Sequence, residues 1–518
     1  MRTDRRRFLA ALAGTAALPA LGARAQAAHA VAGVASPARL ASDPLRPQYH
    51  LLPAANWMND PNGPIYWNGQ YHMFYQYNPE GAYWGDMHWG HAVSPDMVHW
   101  RHLPVALAPT PGGLDANGCF TGTAVVQDGR VAILYTGVCQ SPLDVATIKD
   151  ATPPLRESQC LAVAEDLDLR SWRKAPAPVI AAPPAQLQVN GFRDPSPWRQ
   201  GEWWYMVVAC GLANQGGAVL LYRSRDLRRW EYMHILTQRD RRGSAAFDAF
   251  DPWEVWECPE LFALGEWHVL IFSTAGKTYW QCGKLDERTM EFRAEQAGIL
   301  DYGSFYAAKT QLDRSGNRVV WGWIQETRPL AEYKAAGWAG MMSLPRVLSV
   351  ARDGRLRFRV ASEVDSLRSR EQSVEISGSE DVIRQRVEAV RLPGCCGEVR
   401  LRVQRGREPF ELNLQGAGNG LASWLRLWYD PRHPSQIGVD GRVLPLDLAE
   451  GDELEIHFYA DGSVVELFVN DRAAWVKRFY YAGGRAQAMR LKWTGTAAGL
   501  RSLSAWELTP ISSDRLTT

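Results

Sequence analysis

Hydrophobic and polar positions alternate in short bursts along the first two thirds of this chain. Each burst is broken by a glycine turn and answered by a second burst. Five such pairs stand in order: Tyr66 to Tyr75 around Gly69, Val126 to Tyr135 around Gly129, Trp198 to Tyr205 around Gly201, Phe262 to Val269 around Gly265, and Leu312 to Trp321 around Gly316. Alternation on both sides of a glycine turn predicts a β-hairpin with one buried face. The turn glycines are 60, 72, 64 and 51 residues apart. A second marker keeps step with them, an Asp four residues before a Trp: Asp96 and Trp100, Asp168 and Trp172, Asp226 and Trp230. A strand-rich repeat of about 60 residues predicts a propeller of four-stranded blades, and five repeats predict five blades over residues 46–350. Residues 351–372 read as a polar connector with a brief helix. From 373 to 510 short alternating strands and Gly/Asp turns predict a β-sandwich. The expected fold class is all-β, a five-bladed β-propeller followed by a C-terminal β-sandwich.

Composition narrows the function classes. With 57 Lys+Arg against 56 Asp+Glu the chain carries no field to recruit nucleic acid or an anionic membrane, so neutral small molecules are the expected partners. The 22 Trp suit stacking on sugar rings, although core filling is their commoner use. At the N-terminus Arg5-Arg6-Arg7-Phe8-Leu9 has the pattern of a twin-arginine signal, followed by an apolar run and the small-residue site Ala25-Gln26-Ala27. Residues 1–27 are therefore expected to be a signal peptide and 28–45 a linker, giving an exported protein in the periplasm or outside the cell. No stretch approaches 18 continuous apolar residues, so no membrane span is expected. The eight Cys are scattered without disulfide-scaffold spacing and are expected to be thiols. His88-x-x-His91 and His99-x-x-His102 lack the further ligands of a metal site, and neither metal nor cofactor is expected.

Candidate chemistry comes from where the acids fall. The first strand of each blade lies nearest a propeller's axis, so residues shortly before each hairpin glycine are expected to line one funnel. Asp60 precedes Gly69 by nine residues, Asp194 precedes Gly201 by seven, and Glu257 precedes Gly265 by eight. Phe120 and Thr121 hold the same phase before Gly129, with Tyr306 near it before Gly316. Asp60-Pro61-Asn62-Gly63 alone would read as a tight turn; the shared phase makes it a candidate site. Asp251-Pro252 falls too early and reads as a turn. Three converging carboxylates suit glycosidic chemistry, in which one acid protonates the leaving oxygen and another attacks or activates water. A sugar-binding funnel whose acids only hydrogen-bond hydroxyls remains the other reading of the residues alone.

The motifs themselves resemble glycoside hydrolase family 32, the invertases, inulinases and levanases. The resemblance is carried by Trp57-Met58-Asn59-Asp60-Pro61-Asn62-Gly63, Phe192-Arg193-Asp194-Pro195 and Trp256-Glu257-Cys258-Pro259. Phe74 to Pro79, Trp84-Gly85, Trp89 to Ala92, Phe120-Thr121-Gly122 and Gly337 to Gly340 support it. It implies Asp60 as nucleophile on C2 of a β-fructofuranosyl unit, Glu257 as general acid/base and Asp194 as a stabiliser gripping fructose hydroxyls beside Arg193. Asn59, Gln76, Trp84, Phe120 and Thr121 would shape the pocket. The implied reaction is retaining, with the Asp60 and Glu257 carboxyls about 5–5.5 Å apart. Two positions depart from the family pattern: Ser304 stands before Phe305-Tyr306-Ala307 where relatives carry Asp, and Glu260 follows Pro259 where Asp is usual. The leading expectation is a β-fructofuranosidase acting on sucrose or fructans. A fructosyltransferase with the same triad and a non-catalytic sugar-binding propeller are the alternatives.

Overall fold

A computed structural model describes residues 35–239, 254–416, 423–446, 448, 452–481, 488–513 and 516. The twin-arginine motif, the cleavage site and Asp251-Pro252 lie outside the described residues. Five antiparallel sheets follow one another along the chain, each built outward from an inner strand. The inner strands are Asn56–Trp67, Cys119–Gln127, Val189–Gln200, Glu257–Leu264 and Phe305–Leu312. Each neighbours the next around the axis. The hairpin glycines adopt left-handed φ, from +61° at Gly201 to +84° at Gly316, which an L side chain rarely accepts. A short segment, Trp338–Ala339, returns from the fifth sheet and pairs in parallel with Asn56 and Trp57 of the first, clipping the ring shut. Gly340 follows because a Cβ there would lie 1.9 Å from the Met58 carbonyl oxygen.

The Asp-to-Trp marker is the turn between the third and fourth strands of a blade. Asp96 Oδ1 accepts from the Val98 and His99 N–H groups, and the Trp100 indole donates to the Met97 carbonyl. Asp226 and Trp230 repeat the arrangement. In the second blade Asp168 holds the expected place, but the capping carboxylate is Asp166, which accepts from Asp168, Arg170 and Ser171.

The fifth blade runs past its expected end. Its outermost strand is Leu356–Val360, paired with Arg346–Val350. What reads as a connector over 351–372 is thus an outer strand, a 3-10 turn at Ser362–Leu367 and the start of the sandwich strand Arg368–Val374. The sandwich stacks two six-stranded sheets over one apolar core. Trp424 and Trp475 are buried in it, Trp424 stacked on Phe479 at 4.7 Å, and Trp428 lies across Gly438. Trp424 and Trp475 belong to the sandwich core, whereas Trp428 is half-buried on the sheet face it shares with Arg426. All eight cysteines are free thiols. Among the described residues no helix is long and apolar enough to cross a membrane.

Propeller and sandwich are joined by buried charge. Arg346, fully buried, pairs with Asp301 at 2.9 Å and Glu466 at 2.6 Å. Glu466 also faces His50 Nε2 at 3.0 Å, while His50 Nδ1 meets Asp461 at 2.8 Å. Asp461 in turn accepts from the backbone of Gln48 and Tyr49 and from the Cys396 thiol. Burial alone would lower the His50 pKa, but the hydrogen bonds to Asp461 and Glu466 outweigh it and raise it to about 9. A raised base stabilises the fold fully below its unfolded value of 6.5, and that contribution is lost as pH climbs through about 9. Stability is therefore expected to fall by about 3 kcal/mol between pH 6.5 and 9.5 through this one residue. Thermal unfolding of wild type and His50→Gln across that range checks it: the variant should lose this slope, and parallel profiles would refute it.

Candidate active site

One irregularity recurs in all five inner strands and creates the site. The ladder to the second strand slips between Met58 and Pro61, Phe120 and Gly122, Arg193 and Ser196, Glu257 and Glu260, and Tyr306 and Lys309. Each slip is a β-bulge, which bends the strand and re-aims side chains. The bulged residues are Asn59-Asp60, Thr121, Asp194-Pro195, Cys258-Pro259 and Ala307-Ala308. Two bulges contain Pro, Pro195 and Pro259, and Pro61 closes the first; Pro is tolerated in a strand where no ladder N–H is required. Asp194, Cys258 and Ala307 take left-handed φ of +61°, +53° and +55°. Such strained backbone in non-glycine residues persists only where its surroundings enforce it, and it gathers at functional sites. The Asp60-Pro61-Asn62-Gly63 segment is therefore a bulged strand and not a tight turn: it lies wholly within Asn56–Trp67.

The three acids are brought together. Asp60 and Asp194 are each 2% exposed and Glu257 5%. The Trp57 indole N–H donates to Asn59 Oδ1 at 2.7 Å, which turns the Asn59 amide nitrogen onto Asp60 Oδ1 at 3.0 Å. Thr121 Oγ1 donates to Asp60 Oδ2 at 2.8 Å. Cys258 joins two of the acids, its N–H donating to Asp194 Oδ2 at 2.8 Å and its thiol to Asp60 Oδ2 at 3.6 Å. Burial, reinforced by Asp194 and Asp60, pushes the Cys258 thiol well above its usual range, so it remains an S–H donor.

Glu257 is held from two sides. Tyr306 Oη donates to Glu257 Oε2 at 2.5 Å, and Arg193 Nε lies 3.3 Å from Oε1. Arg193 also pairs through Nη1 with Glu157, a fully buried carboxylate that accepts from Thr147 and from the Phe192 N–H. Arg193, expected beside Asp194 as a sugar contact, thus bridges Glu157 and Glu257. Gln76 is buried, with its amide on the Cys119 carbonyl. Trp84 and Phe120 meet edge to face at 5.9 Å beside this cluster. Glu260 stands three residues below Glu257 and caps the Thr310 N–H at 2.7 Å, so this departure from the family pattern lies beneath the triad. Ser304 donates its N–H to Val476 of the sandwich.

Sequence reasoning missed Glu157, Cys258 and the full role of Tyr306. Glu157 comes from the third strand of the second blade, at a distance no local pattern reports. The other two carried signals: a Cys inside the Glu-Cys-Pro bulge, and a Tyr near the shared phase.

Charge crowding is visible at Asp194. Burial is the main cause that raises its pKa to about 7; Glu257 and Asp60 add to this, while Arg193 and the Cys258 N–H oppose it. An acid whose pKa rises on folding costs stability once ionised. That cost is absent below about 3.8, grows with pH, and is complete above about 7. Asp194→Asn is therefore expected to stabilise the fold at pH 8 by about 2–4 kcal/mol, shifting the thermal midpoint upward by about 2–5 °C. At pH 4 the gain should vanish. Thermal scans at both pH values test this, and an equal shift at both would contradict it. Removing strain and charge at a working site commonly stabilises a protein at the expense of activity.

Comparison with known proteins gives the family. The family model for the glycosyl hydrolases family 32 N-terminal domain matches residues 50–359, and that for the family 32 C-terminal domain matches 363–507. A sucrose-6-phosphate hydrolase of Escherichia coli is 35% identical over 498 residues, 89% of this chain and 94% of the relative. A raffinose invertase of Escherichia coli is 34% identical over 480 residues, covering 89% and 95%. Among solved structures, a Bombyx mori GH32 beta-fructofuranosidase superposes with a TM-score of 0.73 at 29% identity, covering 91% of this chain and 96% of that one. With both family models matched and these relatives covered almost end to end, this chain belongs to glycosyl hydrolase family 32, as a hydrolase of that family.

Proposed function

We propose that the chain releases terminal β-fructofuranosyl units from sucrose or short fructans by double displacement. The observation that carries this reading is the convergence of Asp60 and Asp194, each in a bulge, with Glu257, beside a third, buried and joined through Cys258 and Arg193. Asp60, held by Asn59, Thr121 and Cys258, attacks C2 of the fructosyl ring. The C2–oxygen bond to the leaving sugar breaks, and Glu257 gives that oxygen its proton. Water then adds to C2 as Glu257 takes a proton from it, and the Asp60 carboxylate departs. Tyr306 and Arg193 fix the Glu257 carboxyl through both steps. Asp194 offers an oxygen to the ring hydroxyls, and Trp84 with Phe120 forms an apolar wall. A mutant of the Bombyx mori relative was solved with sucrose, and the Escherichia coli relatives are named a sucrose-6-phosphate hydrolase and a raffinose invertase, which supports this substrate class. The chain is proposed to act outside the cytoplasm, on the strength of its twin-arginine motif.

Product analysis with sucrose, inulin and levan tests the reading. Fructose is expected as the first product, with equal glucose from sucrose. Glucose released in excess of fructose would favour transfer to a sugar acceptor, and silence on all three substrates would overturn the proposal.

A further inference from the structure

The propeller axis has a second mouth. The inner strands start at the catalytic end and run away from it, and beyond the bulges they enclose a cavity of about 330 Å³. All five blades supply its wall, among them Tyr66, Thr123, Ser196, Trp198, Glu260 and Gln311. Along a strand this cavity begins only two to four residues from the triad, about 7–13 Å at the rise of an extended chain. A plug separates the two: Lys309, fully buried, reaches Glu260 at 3.7 Å and Thr123 at 3.3 Å.

The polar groups of this cavity are unequally satisfied. Glu260 caps the Thr310 N–H, and Asp313 caps the Ser315 and Asn317 N–H groups of its own turn. Gln311, by contrast, is 3% exposed and neither its amide oxygen nor its amide nitrogen has a protein partner. Arg318 lines the same cavity, stacked on Phe262 at 4.7 Å, and its Nε is also without a hydrogen-bond partner. Buried side-chain amides are nearly always paired, so a doubly unpaired one facing a cavity marks a place for a polar guest, water or the hydroxyls of a small ligand. The chemistry of the wall defines that ligand. Gln311 supplies one donor edge and one acceptor edge, Arg318 a donor, and Ser196 and Thr123 hydroxyls. Tyr66 and Trp198 add aromatic surface, as sugar sites do. Glu260 and Asp313 are balanced by Lys309 and Arg318, so the wall offers no net charge to an ion, whereas hydroxyls can both donate to and accept from it.

We propose that this cavity is a second binding site, for a neutral monosaccharide of hexose size, at the end of the propeller axis opposite the triad. The proposal stands on the unpaired amide and the wall, independently of which glycoside the triad cleaves.

Calorimetric titration of the mature chain with fructose and with glucose tests it. Asp194→Asn separates the catalytic pocket from this site. Gln311→Met keeps the side-chain volume and removes the amide, and Ser196→Leu fills the cavity from another blade. For at least one of the two sugars the titration should show an event that persists in Asp194→Asn. Gln311→Met and Ser196→Leu should each weaken that event at least tenfold, with thermal midpoints within a few degrees of wild type. Absence of any such event in Asp194→Asn would overturn the proposal. Unchanged affinity in both folded cavity variants would overturn it equally.

Discussion

Asp60→Asn is expected to lose at least about 10⁴-fold in turnover while its fold and thermal midpoint stay close to wild type. The substitution keeps the volume and the acceptor for Asn59, and the Thr121 hydroxyl can turn to accept from the new amide, so only the longer Cys258 contact at 3.6 Å is given up. What disappears is the carboxylate proposed to form the bond to C2. Glu257→Gln should behave differently, because its proposed role is to move a proton. With sucrose the loss should be about 10²–10⁴-fold. With a fructoside whose leaving group needs no proton, most of the first step should return. If both variants respond identically to the leaving group, the division of roles between Asp60 and Glu257 is wrong. Single-turnover and steady-state rates on both substrates make the comparison.

The second large effect concerns the joint between the domains. Glu466→Ala is expected to destabilise the protein by about 3–5 kcal/mol, because it strands Arg346 and His50 in a fully buried cluster. It also removes the acceptor for the Leu344 N–H, at 2.6 Å. Arg346 would retain only Asp301 as an anionic partner, itself buried and shifted upward in pKa mainly by that burial. The double variant Glu466→Leu/Arg346→Met, which removes opposite charges together, should recover part of the loss. Denaturant unfolding of the three proteins measures this. A single variant within about 0.5 kcal/mol of wild type would show that the cluster does not hold the domains together.

These effects separate what local sequence reports from what only the fold reports. Blade number was legible because Gly69, Gly129, Gly201, Gly265 and Gly316 each mark a turn whose geometry is decided by a few adjacent residues. The acids were legible because the inner strand of every blade repeats one phase. The bulges were not, since a bulge is a relation between two strands; Pro61, Pro195 and Pro259 were its local trace, and around Asp60 that trace imitates a turn. The boundary of the fifth blade was obscured by Leu356-Arg357-Phe358-Arg359-Val360, whose Arg residues point away from the core on an outermost strand. Asp166 was overlooked for Asp168 because the position that caps the turn shifted by two residues while the turn itself was kept. Contacts such as Glu157 to Arg193 join different blades, and no periodicity encodes them.

One measurement bears most directly on the central claim that Asp60 and Glu257 divide a double displacement between them. Glu257→Ala should be mixed with an activated fructoside, quenched, digested and mapped by mass spectrometry. The account predicts one added fructosyl unit on the peptide containing Asp60, since attack proceeds while the base for water is missing. Turnover without any adduct, or an adduct on a peptide lacking Asp60, would contradict it.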